Sequence, residues 1–277
     1  MPQLHVTWLT AGITAAVLLG LGALVSSRLR RGQVGAAIRE CGIVLALFGL
    51  WMLAGQLVGQ HPSGAYARGD DIWRLEQALH IDSEAALQQP LLPHHWLLTV
   101  ANYYYAYAHW LSVDVVLAWL WLRHRAHYAP ARRALVVFTG SCLLLHFVAT
   151  APPRLLADTG VTDTAALLGQ SVYADSPGIS DHLSAMPSIH VGWAVLFVIA
   201  VWRTGAPFAR WVAVAHAVAT SYVVVVTGNH FWLDGIVAAG LAVVAASPLR
   251  PHASRAWQDA GRGSTAIGVG ISPDSAR

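Results

Sequence analysis

Lysine is absent from the 277 residues, and all seventeen basic side chains are arginine. Cysteine occurs twice, at Cys41 and Cys142, each inside an apolar run. That argues against a disulfide framework and leaves the redox compartment unread. Charged residues make up 11% of the chain, against about 25% in a soluble domain. With 56% hydrophobic residues and a mean hydropathy of +0.50, a chain so short of charge belongs largely in lipid. The pI near 9.1 then reflects arginine-rich cytoplasmic loops, and no nucleic-acid partner is expected. Internal repeats, coiled-coil heptads and nucleotide-binding loops are also missing.

What the chain does contain is apolar stretches. A membrane-crossing helix takes roughly 20 such residues, with about 17–25 tolerated. Seven stretches are candidates, near 8–27, 39–60, 97–122, 134–151, 189–203, 210–228 and 231–248. The fifth is short, which allows its start to lie in the preceding loop. The first lacks a basic start and is followed by its arginines, as in an anchor that stays in place. The expectation is an all-α polytopic membrane bundle of about seven spans.

Arginine sets the orientation, because cytoplasmic connections retain positive charge. Fourteen of the seventeen arginines fall in alternate connections and the tail, while Arg68, Arg74 and Arg154 fall on the opposite side. This places the N-terminus outside, the C-terminus in the cytoplasm and the chain in the plasma membrane. The outer connection 61–96 carries Asp70, Asp71, Glu76, Asp82 and Glu84, interrupted by Ile72, Leu75, Leu79 and Leu87 at near-helical spacing. It reads as an interfacial helix on the outer leaflet. The segment 251–277, rich in Gly, Ser and Ala without periodicity, is expected to be disordered.

Three groups of residues at the outer side suggest chemistry. His230 and Asp234 are four apart and share one helix face, so the carboxylate can fix the imidazole tautomer while the other nitrogen attacks. A helix-end histidine bonded to a nearby acid is the alternative. In Pro187-Ser188-Ile189-His190, proline suits a helix start whose unpaired N–H groups favour an anion. The Ser188 hydroxyl can donate to that anion, and His190 can protonate a departing oxygen; a simple helix cap is the alternative. Arg154, on the arginine-poor side, carries a planar fork that matches phosphate oxygens, unless it only snorkels toward headgroups. His109, Asp114, His146 and His216 are ionisable groups within spans. His109 and His146 are divided between the substrate cavity and helix-to-helix bonding, while Asp114 and His216 read as structural. The run Tyr103, Tyr104, Tyr105 and Tyr107, with Trp96 and Trp110, reads as an interfacial aromatic belt; a ceiling over the lipid head group is the alternative.

Pro-Pro-Arg154, Met-Pro-Ser-x-His190 and Gly-Asn-His230-x-x-x-Asp234 together resemble the type 2 phosphatidic acid phosphatase superfamily. The likeness is greatest to its inositol phosphorylceramide synthase-like (inositolphosphotransferase) branch, and extends back to Asn102-Tyr-Tyr-Tyr-Ala-Tyr-Ala-His109, over roughly residues 70–248. The resemblance implies a six-helix core and phosphoryl transfer through a phosphohistidine, with no metal or other cofactor. His230 would be the nucleophile, Asp234 its orienting partner and His190 the general acid. Arg154, Ser188 and the backbone at the helix start would hold the phosphoryl oxygens. The chain would then divide into an extra span at 1–33, a catalytic bundle at 34–250 and the tail from 251.

Two departures bear on the substrate. The broader superfamily has a lysine where Phe147 stands, and a Ser-Arg pair where Val223 and Val224 stand. Asn229, His146 or His182 would then supply replacement donors, or the phosphate carries less charge, as in a phosphodiester. The expected partners are a lipid phosphoester, the surrounding lipids and an acceptor alcohol. Rival readings are a transporter or scaffold with helix-capping histidines, and a vanadate-dependent haloperoxidase-like enzyme.

Overall fold

The computed structural model describes residues 7–28, 32–58, 63–81, 83–170 and 183–247. Arg30, Arg31, Asp82, His182 and the expected disordered tail at 251–277 lie outside the described residues. Each of the seven apolar stretches is helical. They are α1 (Trp8–Arg28), α2 (Gly32–Val58), the continuous rod of α5 (His95–Tyr103), a π-turn (Tyr104–Ala108) and α6 (His109–Arg123), then α7 (Arg125–His146), α9 (Ile189–Thr204), α10 (Pro207–Val226) and α11 (Trp232–Ala246). Shorter elements between these rods are α3 (Ala65–Ala78), α4 (Glu84–Gln88) and α8 (Thr164–Leu167). Among the described residues, the one departure from helix and turn is a parallel bridge between Thr150 and Ser184. The fold is thus an all-α membrane bundle.

By length and composition, Trp8–Ser27, Gly32–Leu53 and Pro207–Val226 suffice to cross a membrane, while α9 and α11 are apolar but shorter. Several helices outrun their apolar cores. α2 begins before Arg39 and Glu40, and α7 takes in Arg132 and Arg133. The Arg132 guanidinium donates to Glu40 at 2.7 Å and the Tyr128 hydroxyl at 3.1 Å. Matching charge therefore lets these helix ends persist and joins α2 to α7. Ser188 caps α9, whose first residue is Ile189, so its start matches the apolar run and does not move into the loop.

Apolar side chains gain little by meeting one another in lipid, so helix association there depends on close van der Waals fit and small residues. The core between α6, α7, α9 and α11 has that character. Phe138, Leu120 and Cys142 are fully buried against Ala238 and Ala242. A Cβ added at Gly192 would fall inside the Phe138 ring. Gly192→Ala is expected to destabilise the fold by about 1–3 kcal/mol through overpacking, measured as a lower melting temperature in detergent. An unchanged melting temperature would mean that Phe138 can swing aside. At the far end of the same bundle, Arg203 donates to the last carbonyl of α11, Ala246 O, at 3.1 Å.

The shorter elements are bonded to the bundle. The Arg68 side chain of α3 donates to Ala149 O at 2.6 Å, and Ala151 N–H to Ala65 O at 3.0 Å. Fully buried Gln88 at the end of α4 bonds Val226 O at 2.9 Å, and both Thr162 O and Thr162 N–H. A helix is therefore present in this connection, with Leu75 and Leu79 exposed but Ile72 and Leu87 packed against the core. One expectation is overturned. Glu76 and Glu84 do not lie on the polar face but are buried, each 1% exposed.

Candidate active site

α9 starts, α10 ends and α11 starts at one end of the bundle, so the loops carrying His190 and His230 meet there. The turn from Thr227 into α11 is closed by Asn229 N–H and His230 N–H, both donating to Val224 O. It needs glycine at Gly228, where φ is +72° and a Cβ would meet Val161 Cγ1 at 2.7 Å and Arg154 Cβ at 3.0 Å. Arg154 reaches this turn through its own backbone, whose N–H donates to Gly228 O at 3.1 Å.

His230 and Asp234 are both buried. Asp234, the third residue of α11, accepts the Phe231 N–H at 2.9 Å, an acid reaching back to cap its own helix. The same oxygen, Oδ2, lies 3.3 Å from His230 Nδ1. Ala185 O is closer to Nδ1, at 2.7 Å. A carbonyl only accepts, so Nδ1 carries the proton and Nε2 keeps its lone pair. The tautomer thus rests first on a main-chain oxygen. Ala185 is held in turn by its N–H donating to Thr150 O at 3.1 Å, within the parallel bridge.

The His190 and His230 rings lie 5.6 Å apart, centre to centre. Tyr105 stacks on His190 at 4.4 Å, with ring planes 25° apart. His109 meets it edge-on at 4.3 Å, its own Nδ1 3.1 Å from Tyr105 O. Among the described residues His190 Nδ1 is buried without a hydrogen-bond partner. Ser188 N–H donates to Asp234 O at 3.3 Å, which joins the start of α9 to the first turn of α11. The Ser188 hydroxyl accepts from Val191 N–H at 3.4 Å and so caps the helix, with its own proton left to give. His146, the last residue of α7, is buried, and its Nε2 has no hydrogen-bond partner among the described residues.

Two expected site residues also bond the surrounding loops. Arg154, its side chain 4% exposed, directs Nε to Asp163 Oδ2 at 3.2 Å. The Asn229 amide donates to Thr227 Oγ1 at 2.9 Å. Outside this cluster, Asp114 is exposed on α6. His216 takes part in a helix-to-helix bond with the Tyr104 hydroxyl at 2.6 Å. Trp96, Tyr103 and Tyr107 are exposed as belt residues should be, whereas Tyr105 is buried against His190.

Sequence reading set Tyr105 in the belt, with a ceiling over the head group as the alternative, and missed Asp163 and the Ala185 carbonyl, together with Glu84 and Glu76, which accept the Trp232 and Leu233 N–H groups of α11 at 3.4 and 2.7 Å. Only Tyr105 left a trace, inside the Asn102–His109 run. A family model described as the PAP2 superfamily matches residues 70–247. No curated protein and no solved structure matches the chain.

Proposed function

Since the chain belongs to the PAP2 superfamily, we propose that it is a membrane-embedded phosphatase-type enzyme that acts on a lipid phosphoester through a phosphohistidine. The observation that carries this reading is the pairing of His190 and His230, 5.6 Å apart at one end of the bundle. Two imidazoles brought together in this way support one attacking and one protonating group at a shared phosphorus.

In the first half-reaction His230 Nε2 attacks phosphorus, and the bond to the leaving oxygen breaks. His190 gives that oxygen a proton, so an alcohol departs instead of an alkoxide. The positive charge on the His230 ring is supported at Nδ1 by Ala185 O and Asp234. In the second half-reaction His190 takes a proton from water or an acceptor alcohol, which attacks phosphorus and frees His230. Arg154, Ser188 and the N–H groups at the start of α9 hold the equatorial oxygens as charge builds. His109 and His146 position the His190 side of the pocket, and Asn229 shapes the turn that bears His230. The arginine distribution supports a site at the outer face.

Transfer of a phosphoinositol-type head group is favoured over simple hydrolysis. Val224 is buried where the broader family places a cation, and Arg154 already faces Asp163. A phosphodiester with one negative charge suits such a pocket better than a dianionic monoester.

Incubation with a lipid phosphoester radiolabelled at phosphorus tests both statements. The expected result is a protein-bound label that is stable in alkali and labile in acid, as phosphohistidine is. Added alcohol acceptors should then take up the label faster than water does. A label that never becomes protein-bound, in an enzyme that turns over, overturns the covalent route.

A further inference from the structure

Helix starts leave several backbone N–H groups without partners inside the helix. At the start of α11 three successive N–H groups are taken by three different carboxylates. Asp234 accepts from Phe231, Glu84 from Trp232 and Glu76 from Leu233. The two glutamates come from α4 and α3, more than 140 residues away in sequence. Burial of two acids side by side is costly unless a proton lies between them. Glu76 Oε1 holds the Leu233 N–H, whereas Oε2 is buried with no donor in reach. Its neighbour is Glu84, equally buried, whose own carboxyl holds the adjacent Trp232 N–H. A proton on Oε2, donated to Glu84, satisfies both groups.

We propose that Glu76 and Glu84 form one hydrogen-bonded acid pair that positions the His230 helix, tying its first turn to the outer helices α3 and α4. These are positioning residues, not catalytic ones, and the proposal rests on the reading of His230 as nucleophile. Burial, followed by the hydrogen bond and charge of Glu84, pushes the Glu76 carboxyl up from 4.5 to about 9, against the opposing bond from Leu233. The charged or titratable groups around it are Glu84 from α4, Asp234 with its neighbour His230 from α11, and Arg154 from the turn packed against α3. The folded protein holds this proton more tightly than the unfolded chain does. The pair's contribution to stability is therefore complete below about pH 4.5 and lost as pH rises through about 9. Above that, two anions face each other beside Asp234, and the clamp loosens.

The test compares Glu76→Ala with Glu76→Gln, whose amide can accept from Leu233 and donate to Glu84. Glu76→Ala should lower kcat by about 10²-fold, the scale of a misplaced reacting group, with KM little changed. The wild type should lose turnover near pH 9; Glu76→Gln should restore most of the loss seen in Glu76→Ala and abolish that alkaline decline. Infrared spectra of the wild type should also contain the carbonyl band of a buried protonated acid, missing in Glu76→Gln. A Glu76→Gln variant as impaired as Glu76→Ala, or one that keeps the alkaline decline, overturns the proposal. So does a wild type without the band. The infrared and thermal measurements need no turnover, so they test the pair even if a His230 variant stays active and the catalytic reading fails.

Discussion

Replacing His230 by alanine is expected to lower turnover of any lipid phosphoester by on the order of 10⁴–10⁶-fold, the range for removing one member of an interdependent catalytic set. The fold should survive the change. Asp234 caps α11 through the Phe231 N–H, and the turn closes on Val224 O through backbone groups that alanine retains. The variant should therefore melt close to the wild type while losing its protein-bound label. Ala185 O would lose a donor, which at a buried site costs about 1–3 kcal/mol, and this bounds the stability loss. Retained turnover in a well-folded His230→Ala protein would remove the nucleophile from the scheme and return the histidine to the role of a helix-end residue.

The second large effect concerns His190. Its replacement by alanine should reduce turnover of a natural lipid alkoxide ester by about 10²–10⁴-fold, the worth of a positioned general acid. An ester with a good leaving group, such as a nitrophenyl phosphoester, needs no proton on departure. With that substrate, the first half-reaction should slow far less, and label should accumulate on His230 because the base for the second half-reaction is missing. The contrast between the two substrates is the diagnostic result. Equal losses with both would mean that His190 serves phosphate binding or structure. Tyr105 and His109 flank the His190 ring on two sides, so a small replacement leaves a gap there, and a parallel His190→Gln variant controls for it.

Much of this arrangement was readable in one dimension because it depends on local rules. Apolar length located all seven helical rods, and the four-residue spacing rightly paired His230 with Asp234, although His230 stands in the turn before α11 and shares no helix face with it. Pro187-Ser188 marked where α9 begins. What could not be read depends on contacts between residues far apart in the chain. Nothing near Glu76 or Glu84 distinguishes them from Asp70 or Asp71. Their burial follows from the packing of α3 against α11 and of α4 against α10, with Arg68 and Gln88 bonding the main-chain carbonyls of Ala149 and Val226. The Ala185 carbonyl has no side-chain signature at all. Arg154 was singled out by its rarity on the outer side, but its Asp163 partner sits across a loop that spacing does not describe. Tyr105 was grouped with its neighbours as a belt residue. The π-turn at Tyr104–Ala108 separates them, sending Tyr105 inward while Tyr103 and Tyr107 stay exposed.

The side walls of α11 offer little grip, since Ala238, Ala242, Ala245 and Ala246 make up its buried face. A rod so smooth could piston between its neighbours, and a slip of one residue would carry His230 about 1.5 Å along the axis. Reacting groups tolerate roughly 0.5 Å. Axial travel is stopped at the tips: carboxylates seize the positive end of the helix and Arg203 seizes the negative end. The register of the reacting ring is therefore set by its end stops and hardly at all by the greasy sleeve between them.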